Sequence, residues 1–225
     1  MNNINEKYLC RDAILEAFAT MAERKDVLQD THGNLSVLIS EREMLIKPSG
    51  VPYEKITRNN VCHVEFTDDK YPMIVRIQTN GFKPSVDAVH HARIYLNNPH
   101  IKSICHTHSP HVVAHAIAGM GISCLCTEHA DYFGDTVRAA AYKDLDEWGD
   151  LFIEENEKAL ILEKHGALTF AKNPKDAVNL AVQLENVARK NFLARSLVGR
   201  GGGLLPLPAE ERMKWHRRYN TTYGQ

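Results

Sequence analysis

"IKSICHTHSPHVVAHAIAG", residues 101–119, changes its periodicity in the middle. Its first eight residues, IKSICHTH, read as a short buried strand. The rest, SPHVVAHAIAG, reads as a helix with Pro110 in its first turn and Gly119 at its end. Four of the chain's twelve histidines fall inside this stretch: His106, His108, His111 and His115. Side chains alternate along a strand, so His106 and His108 share one face at its C-terminal end. His111 and His115 are spaced i, i+4 on the helix and offer a second chelating pair. Either pair suits a divalent cation, and either also fits ordinary solvated or hydrogen-bonded rings.

Catalytic zinc generally takes three protein ligands and keeps one position open. Further ligands must therefore come from elsewhere in the chain. His165 follows the apolar run ALIL (159–162), and Asp87 falls in the first turn of a helix read from Ser85 to Asn98, with Ser85 as its cap and Pro99 as its stop. Anion-handling residues are of a different kind. HGNLS (32–36) and KPSG (47–50) set Gly33 and Gly50 beside Asn34 and Ser49, and the second adds Lys47. Main-chain N–H groups at such turns, with a hydroxyl and an ammonium, can hold a phosphate; two tight turns and a surface lysine read equally well.

Further out, residues 5–28 carry apolar positions at Leu9, Ala13, Ile14, Ala17, Phe18 and Met21, an amphipathic helical period. NLSVLIS, EMLIKPSG, VCHVEF and MIVRI read as an antiparallel run of strands. DLDEWGDLFIEEN (144–156) suggests a helix and ALILEKHG a strand. The clearest helix is 173–197, with Asn173 as cap, Pro174 at its first position and a long apolar stripe. GRGGGLLPLP (199–208) is a flexible connector, leaving a tail of residues 209–225 that needs something to dock on.

At 225 residues the chain fits one domain, and 44% apolar with 24% charged residues is an ordinary globular balance. Twenty-seven basic residues against 28 acidic leave no overall drive toward nucleic acid or an anionic membrane. The polar N-terminus lacks the apolar block of a signal peptide, so a cytoplasmic location is expected. Five cysteines are an odd number, and Cys105, Cys124 and Cys126 sit in apolar runs read as strands. Reduced thiols are expected.

Taken in order, GNLS, IKPSG, KPSVD, HTHSPH, TEHADYFG and KHG resemble the class II aldolase and adducin superfamily, whose members use a metal ion to stabilise an enediolate. Within it the chain is most similar to the L-ribulose-5-phosphate 4-epimerases: Asp87 stands where fuculose-phosphate aldolases have a Glu, HADYFG occupies 129–134, and the chain ends in TTYGQ. The resemblance implies a single α/β domain spanning 1–225, with α/β/α layers around a central, mainly antiparallel sheet. It also implies a homotetramer with active sites at subunit interfaces, where the tail docks. It makes His106, His108, His165 and Asp87 the ligands of Zn2+, and Gly33, Asn34, Lys47, Ser49, Gly50 and Ser85 the binding residues of a phosphorylated ketose. Asp131 and Tyr223 become the acid/base pair. The implied reaction converts L-ribulose 5-phosphate to D-xylulose 5-phosphate by opening and remaking the C3–C4 bond.

The chain departs from the family pattern at Val86, where a serine hydroxyl of the phosphate pocket is missing. His216 is the candidate for a tail histidine that helps a neighbouring subunit's site, although its spacing differs from the family's. An aldolase acting on a sugar phosphate, of the L-fuculose-1-phosphate type, is the alternative reaction. A non-catalytic adducin-like module is the alternative class, against which the three retained histidines argue.

Overall fold

The computed structural model describes residues 2–27, 30–142, 150–199 and 203–222, with side chains from Leu9 onward. Among these residues the helices are α1 (Asn2–Glu23), α2 (Ala88–Asn97), α3 (Pro110–Ile117), α4 (Thr127–Phe133), α5 (Pro174–Val198) and α6 (Ala209–Thr221). The strands are β1 (Asn34–Ser40), β2 (Glu43–Ile46), β3 (Cys62–Phe66), β4 (Ile74–Gln78), β5 (Ser103–Thr107), β6 (Ala139–Ala140), β7 (Ala159–Leu162) and β8 (Gly166–Ala171). They form one sheet in the order β4-β3-β2-β1-β5-β8-β7-β6. Every pairing is antiparallel except β6 with β7. The expected mainly antiparallel α/β domain is the one observed.

Strand alternation divides the core between the two faces of the sheet. Ile104, Leu160, Leu162, Leu168 and Phe170 point toward α2, meeting Ala88, Ala92, Ile94 and Tyr95. Leu35, Val37 and Cys105 point the other way, onto Ile14, Phe18 and Met21 of α1 and Ala177, Val178 and Ala181 of α5. Ala159, Ile161 and Ala167 carry that second face on to α3 and the middle of α5. The 25-residue α5 starts where the sequence places it: the Asn173 side chain accepts a hydrogen bond from the Asp176 N–H at 2.9 Å, and Pro174 follows as the first helical residue.

Several expectations shift. Helix α1 ends at Glu23, and its buried stripe runs from Ile14 to Met21 while Leu9 is exposed. Helix α2 begins at Ala88: Ser85 is a turn residue whose hydroxyl accepts from the Asp87 N–H at 3.4 Å. Residues 123–126, including Cys124 and Cys126, are irregular: the pairing here is confined to one bridge, between the preceding Ile122 and Val137. Of the helix expected over 144–156, residues 144–149 lie outside the described residues and 151–156 are not helical. No disulfide joins any of the five cysteines, all of which are among the described residues. Among the described residues no helix is long and apolar enough to cross a membrane.

Within the tail, helix α6 docks on α4 of the same chain. Tyr219 packs on Tyr132 with ring centroids 4.9 Å apart, and Arg212 pairs with Asp135 at 3.1 Å.

Candidate active site

Strand pairing alone brings two distant histidine segments together. β8 runs antiparallel to β5 with Ala167 opposite Thr107, so the tight turn before β8 abuts the end of β5. That turn, 163–165, carries His165. His106 is the fourth residue of β5 and His108 lies just past its end, on the same face as the alternation requires. The three rings meet with centroids 4.7–4.9 Å apart, and one nitrogen from each falls within 4.8 Å of the others. The Nε2 atoms of His106 and His108 are 2.9 Å apart.

Such a cluster of nitrogens is useful only if the rings are neutral. Burial is the first cause in each case: it pushes His106 well down, His108 to about 4, and His165 down, with mutual repulsion adding to the first two. The His106 Nδ1–H donates to the Ala167 carbonyl at 3.0 Å, which fixes the tautomer and leaves the Nε2 lone pair turned into the cluster. Three uncharged imidazole donors converging on one point fit zinc and several other divalent ions.

A cleft of about 360 Å³ opens over the cluster. Every expected binding residue from Gly33 to Asp87 lines it: Gly33, Asn34, Lys47, Ser49, Gly50, Ser85, Val86 and Asp87, together with the three histidines. Asn34 faces His106 across the β1–β5 ladder, and its Nδ2 donates to Asp87 Oδ2 at 2.6 Å. Asp87 is thus beside the rings, yet its carboxylate is directed to Asn34 and is not among the converging donors. A buried polar seam holds α2, and with it Asp87, on β1. Ser36 Oγ is 2.7 Å from His91 Nδ1 and 2.6 Å from Tyr95 OH, and burial pushes His91 down to about 3.

The other wall is made by the two Lys-Pro-Ser segments, 47–49 and 83–85, laid antiparallel. The Ser49 N–H donates to Lys83 O at 2.8 Å and the Ser85 N–H to Lys47 O at 2.9 Å. Lys47 is only 2% exposed, and its Nζ donates to the carbonyls of Thr31 and Pro48 at 3.2 and 3.3 Å. Its ammonium also sits 4.9 Å from the centre of the Tyr53 ring. Among the described residues this buried ammonium is hydrogen-bonded to carbonyls and faces a ring, with the Asp30 charge acting on it without a hydrogen bond, an arrangement that can still take an anion. Gly33 closes this wall with φ +71, and a Cβ there would lie 2.4 Å from His106 O, so no side chain fits.

Other expected residues lie apart from the cleft. Asp131 is half-buried on α4, and burial raises its carboxyl while Arg218 opposes. His216 of α6 reaches the carbonyls of Ala130 and Asp131 with Nδ1 at 3.0 and 3.1 Å. Tyr223 lies outside the described residues. Three cleft residues, Thr31, His32 and Pro48, are not among the candidates the sequence offers, although the first two directly precede the Gly33 turn.

The helical pair does not chelate. Glu185 of α5, 6% exposed, accepts from the main-chain N–H groups of His111 and Val112 at 3.1–3.2 Å and pairs with His111 Nδ1 at 2.6 Å. It thereby fills the donor-rich start of α3, two residues beyond His108. Glu185→Ala is expected to cost about 2–4 kcal/mol, since it strands buried donors; urea denaturation measures it.

The sequence matches the family described as Class II Aldolase and Adducin N-terminal domain over residues 12–192. It is 33% identical to L-ribulose-5-phosphate 4-epimerase UlaF of Salmonella paratyphi A over 214 residues, covering 87% of this chain and 90% of that one. The corresponding protein of Salmonella paratyphi C is also 33% identical, over 183 residues, 74% of this chain and 77% of the other. Among solved structures, an L-fuculose 1-phosphate aldolase superposes with a TM-score of 0.77 at 23% identity, covering 94% of this chain and 96% of that one, a likeness of fold. With the family match spanning residues 12–192, on a sheet that gathers three histidines at the floor of a cleft, the chain belongs to the class II aldolase and adducin family.

Proposed function

We propose that this protein is a zinc-dependent L-ribulose-5-phosphate 4-epimerase that interconverts L-ribulose 5-phosphate and D-xylulose 5-phosphate. The observation that carries the reading is one cleft lined both by a three-imidazole cluster and by a buried ammonium whose hydrogen bonds, among the described residues, go to main-chain carbonyls. The names of the two Salmonella relatives support the choice of sugar.

His106, His108 and His165 would hold the cation, with Asp87 beside them. When bound there, the cation supplies Lewis acidity toward the substrate's carbonyl and neighbouring hydroxyl oxygens. Lys47, Ser49, Gly50 and Ser85 bind the phosphate, so the aldehyde half stays in place while the C3–C4 bond is open. Asn34 orients the Asp87 carboxylate. Asp131 takes the C4 hydroxyl proton as that bond opens, and Tyr223 returns a proton on the opposite face when it re-forms. Both would come from a neighbouring copy in a homotetramer, with His216 at the same junction. Asp131 and His216 lie together on α4 and α6, apart from their own chain's cleft, which supports that arrangement.

The test is an assay of the metal-replete protein on L-ribulose 5-phosphate, following both D-xylulose 5-phosphate and free glycolaldehyde phosphate. Epimer without free aldehyde is expected, and Asp131→Asn is expected to lower turnover by about 10²–10⁴-fold. A second reading, a class II aldolase, is favoured by Val86. It stands 83% exposed on the cleft rim, and its side chain offers the phosphate no hydrogen bond. Abundant free aldehyde without epimer would decide for it.

The anion end carries its own pH dependence. Burial pushes Lys47 down to about 8, with Asp30 opposing. A phosphate monoester is a dianion above about pH 6. The charged ammonium and the dianion therefore coexist between about 6 and 8. KM for the phosphorylated substrate is expected to rise as pH passes 8, approaching about tenfold per unit, and Lys47→Met should abolish that inflection.

A further inference from the structure

One imidazole in the cleft has no part in the mechanism above. His32 lines the cleft with its ring 5.6 Å from that of His108 and tilted by 37°, yet it is not among the three rings whose donors converge. The main chain fixes where it stands. The carbonyl of Thr31, the residue before it, accepts from Lys47 at the anion end. The residues after it, Gly33 and Asn34, press on and pair with His106 at the chelating end. Its own carbonyl accepts from the Tyr53 hydroxyl at 3.3 Å. His32 is therefore strung between the two ends of the cleft, with an exposed side chain. A ligand that reaches from the histidine cluster to Lys47 must pass it.

We propose that His32 is a substrate-contacting residue, hydrogen-bonding a hydroxyl of the sugar phosphate in the stretch between the chelated end and the phosphate. This rests on the sugar-phosphate reading given above. An imidazole offers one donor and one acceptor nitrogen, which suits a hydroxyl, itself both donor and acceptor. The contact makes His32 a determinant of which polyhydroxylated phosphate the cleft prefers, because a site built to hydrogen-bond a hydroxyl rejects a ligand lacking it.

The alternative is that the ring merely braces His108. His32→Phe keeps an aromatic ring against His108 and removes both nitrogens, whereas His32→Gln keeps a donor and an acceptor and removes the ring. For the wild type and both variants, zinc affinity, kinetics on L-ribulose 5-phosphate and calorimetric binding of 4-phospho-D-erythronate would be measured. That acid does not react and carries hydroxyls between its carboxylate and its phosphate. His32→Phe is expected to raise KM and weaken the acid by about 10–100-fold with zinc affinity unchanged, and His32→Gln to retain most of the wild-type values. Unchanged binding in His32→Phe overturns the proposal, as does loss of zinc in that variant, or a defect in Gln that Phe repairs. A wild type that neither turns over the sugar nor binds the acid overturns the sugar-phosphate reading, and this contact with it.

Discussion

His165→Ala is expected to lose zinc and nearly all turnover while keeping the fold. The residue sits in the turn between β7 and β8, half-buried, and no side chain of the hydrophobic core depends on it. Its ring is one of three converging donors, so its removal leaves the two from β5 and its end. Lewis-acid stabilisation of developing charge is worth several kcal/mol, and each 1.36 kcal/mol is a factor of ten, so turnover should fall by about 10³-fold or more at moderate zinc. The melting temperature separates loss of metal from loss of structure. A bound ion stabilises only the state that binds it. Zinc should raise the melting temperature of the wild type and leave His165→Ala where the metal-free wild type melts. A variant that still binds zinc tightly with normal turnover would remove His165 from the metal site and dismantle the proposed chemistry.

The contrast between what local sequence showed and what it hid follows from the range of the interactions. The β5–α3 unit was legible because period, proline and glycine are local signals, and Pro110 and Gly119 bound the helix within two residues of where they were read. The capping of α5 by Asn173 was legible for the same reason. The pairing that makes a site was not local: Ala167 against Thr107 is a contact 60 positions apart, and only the resemblance to a known family brought His165 to His106 in advance. Glu185 shows the limit most plainly. Nothing near it in sequence announces a carboxylate that caps a helix 74 positions away, yet it accounts for His111, which the i, i+4 spacing alone left ambiguous. His32 was passed over because a histidine before a turn has no periodicity to mark it. Ser85 misled because a serine before an apolar run is a good cap; here the Asp87 N–H takes its hydroxyl inside the turn, and the helix starts later.

Gly166→Ala should do what His165→Ala does not: damage the fold and the proposed metal site together. A Cβ at Gly166 would lie 2.4 Å from Thr107 O, 2.7 Å from His108 Cδ2 and 3.3 Å from His106 Cε1. The first of these is main chain in the central strand, which cannot swing aside as a side-chain tip can. β8 would have to move away from β5 at the point where Ala167 faces Thr107. That displacement would also withdraw the Ala167 carbonyl that holds the His106 tautomer. Overpacking of this kind typically costs about 1–3 kcal/mol, and the distortion falls on all three clustered imidazole rings at once. Gly203→Ala is the control, since nothing lies within 4 Å of a Cβ there and its φ is ordinary. Urea midpoints and zinc titrations on the two variants should place Gly166→Ala well below the wild type in both, with Gly203→Ala at wild-type values. Wild-type stability and zinc affinity in Gly166→Ala would mean that the turn before β8 stands further from β5, and the three rings further apart, than 4.8 Å allows.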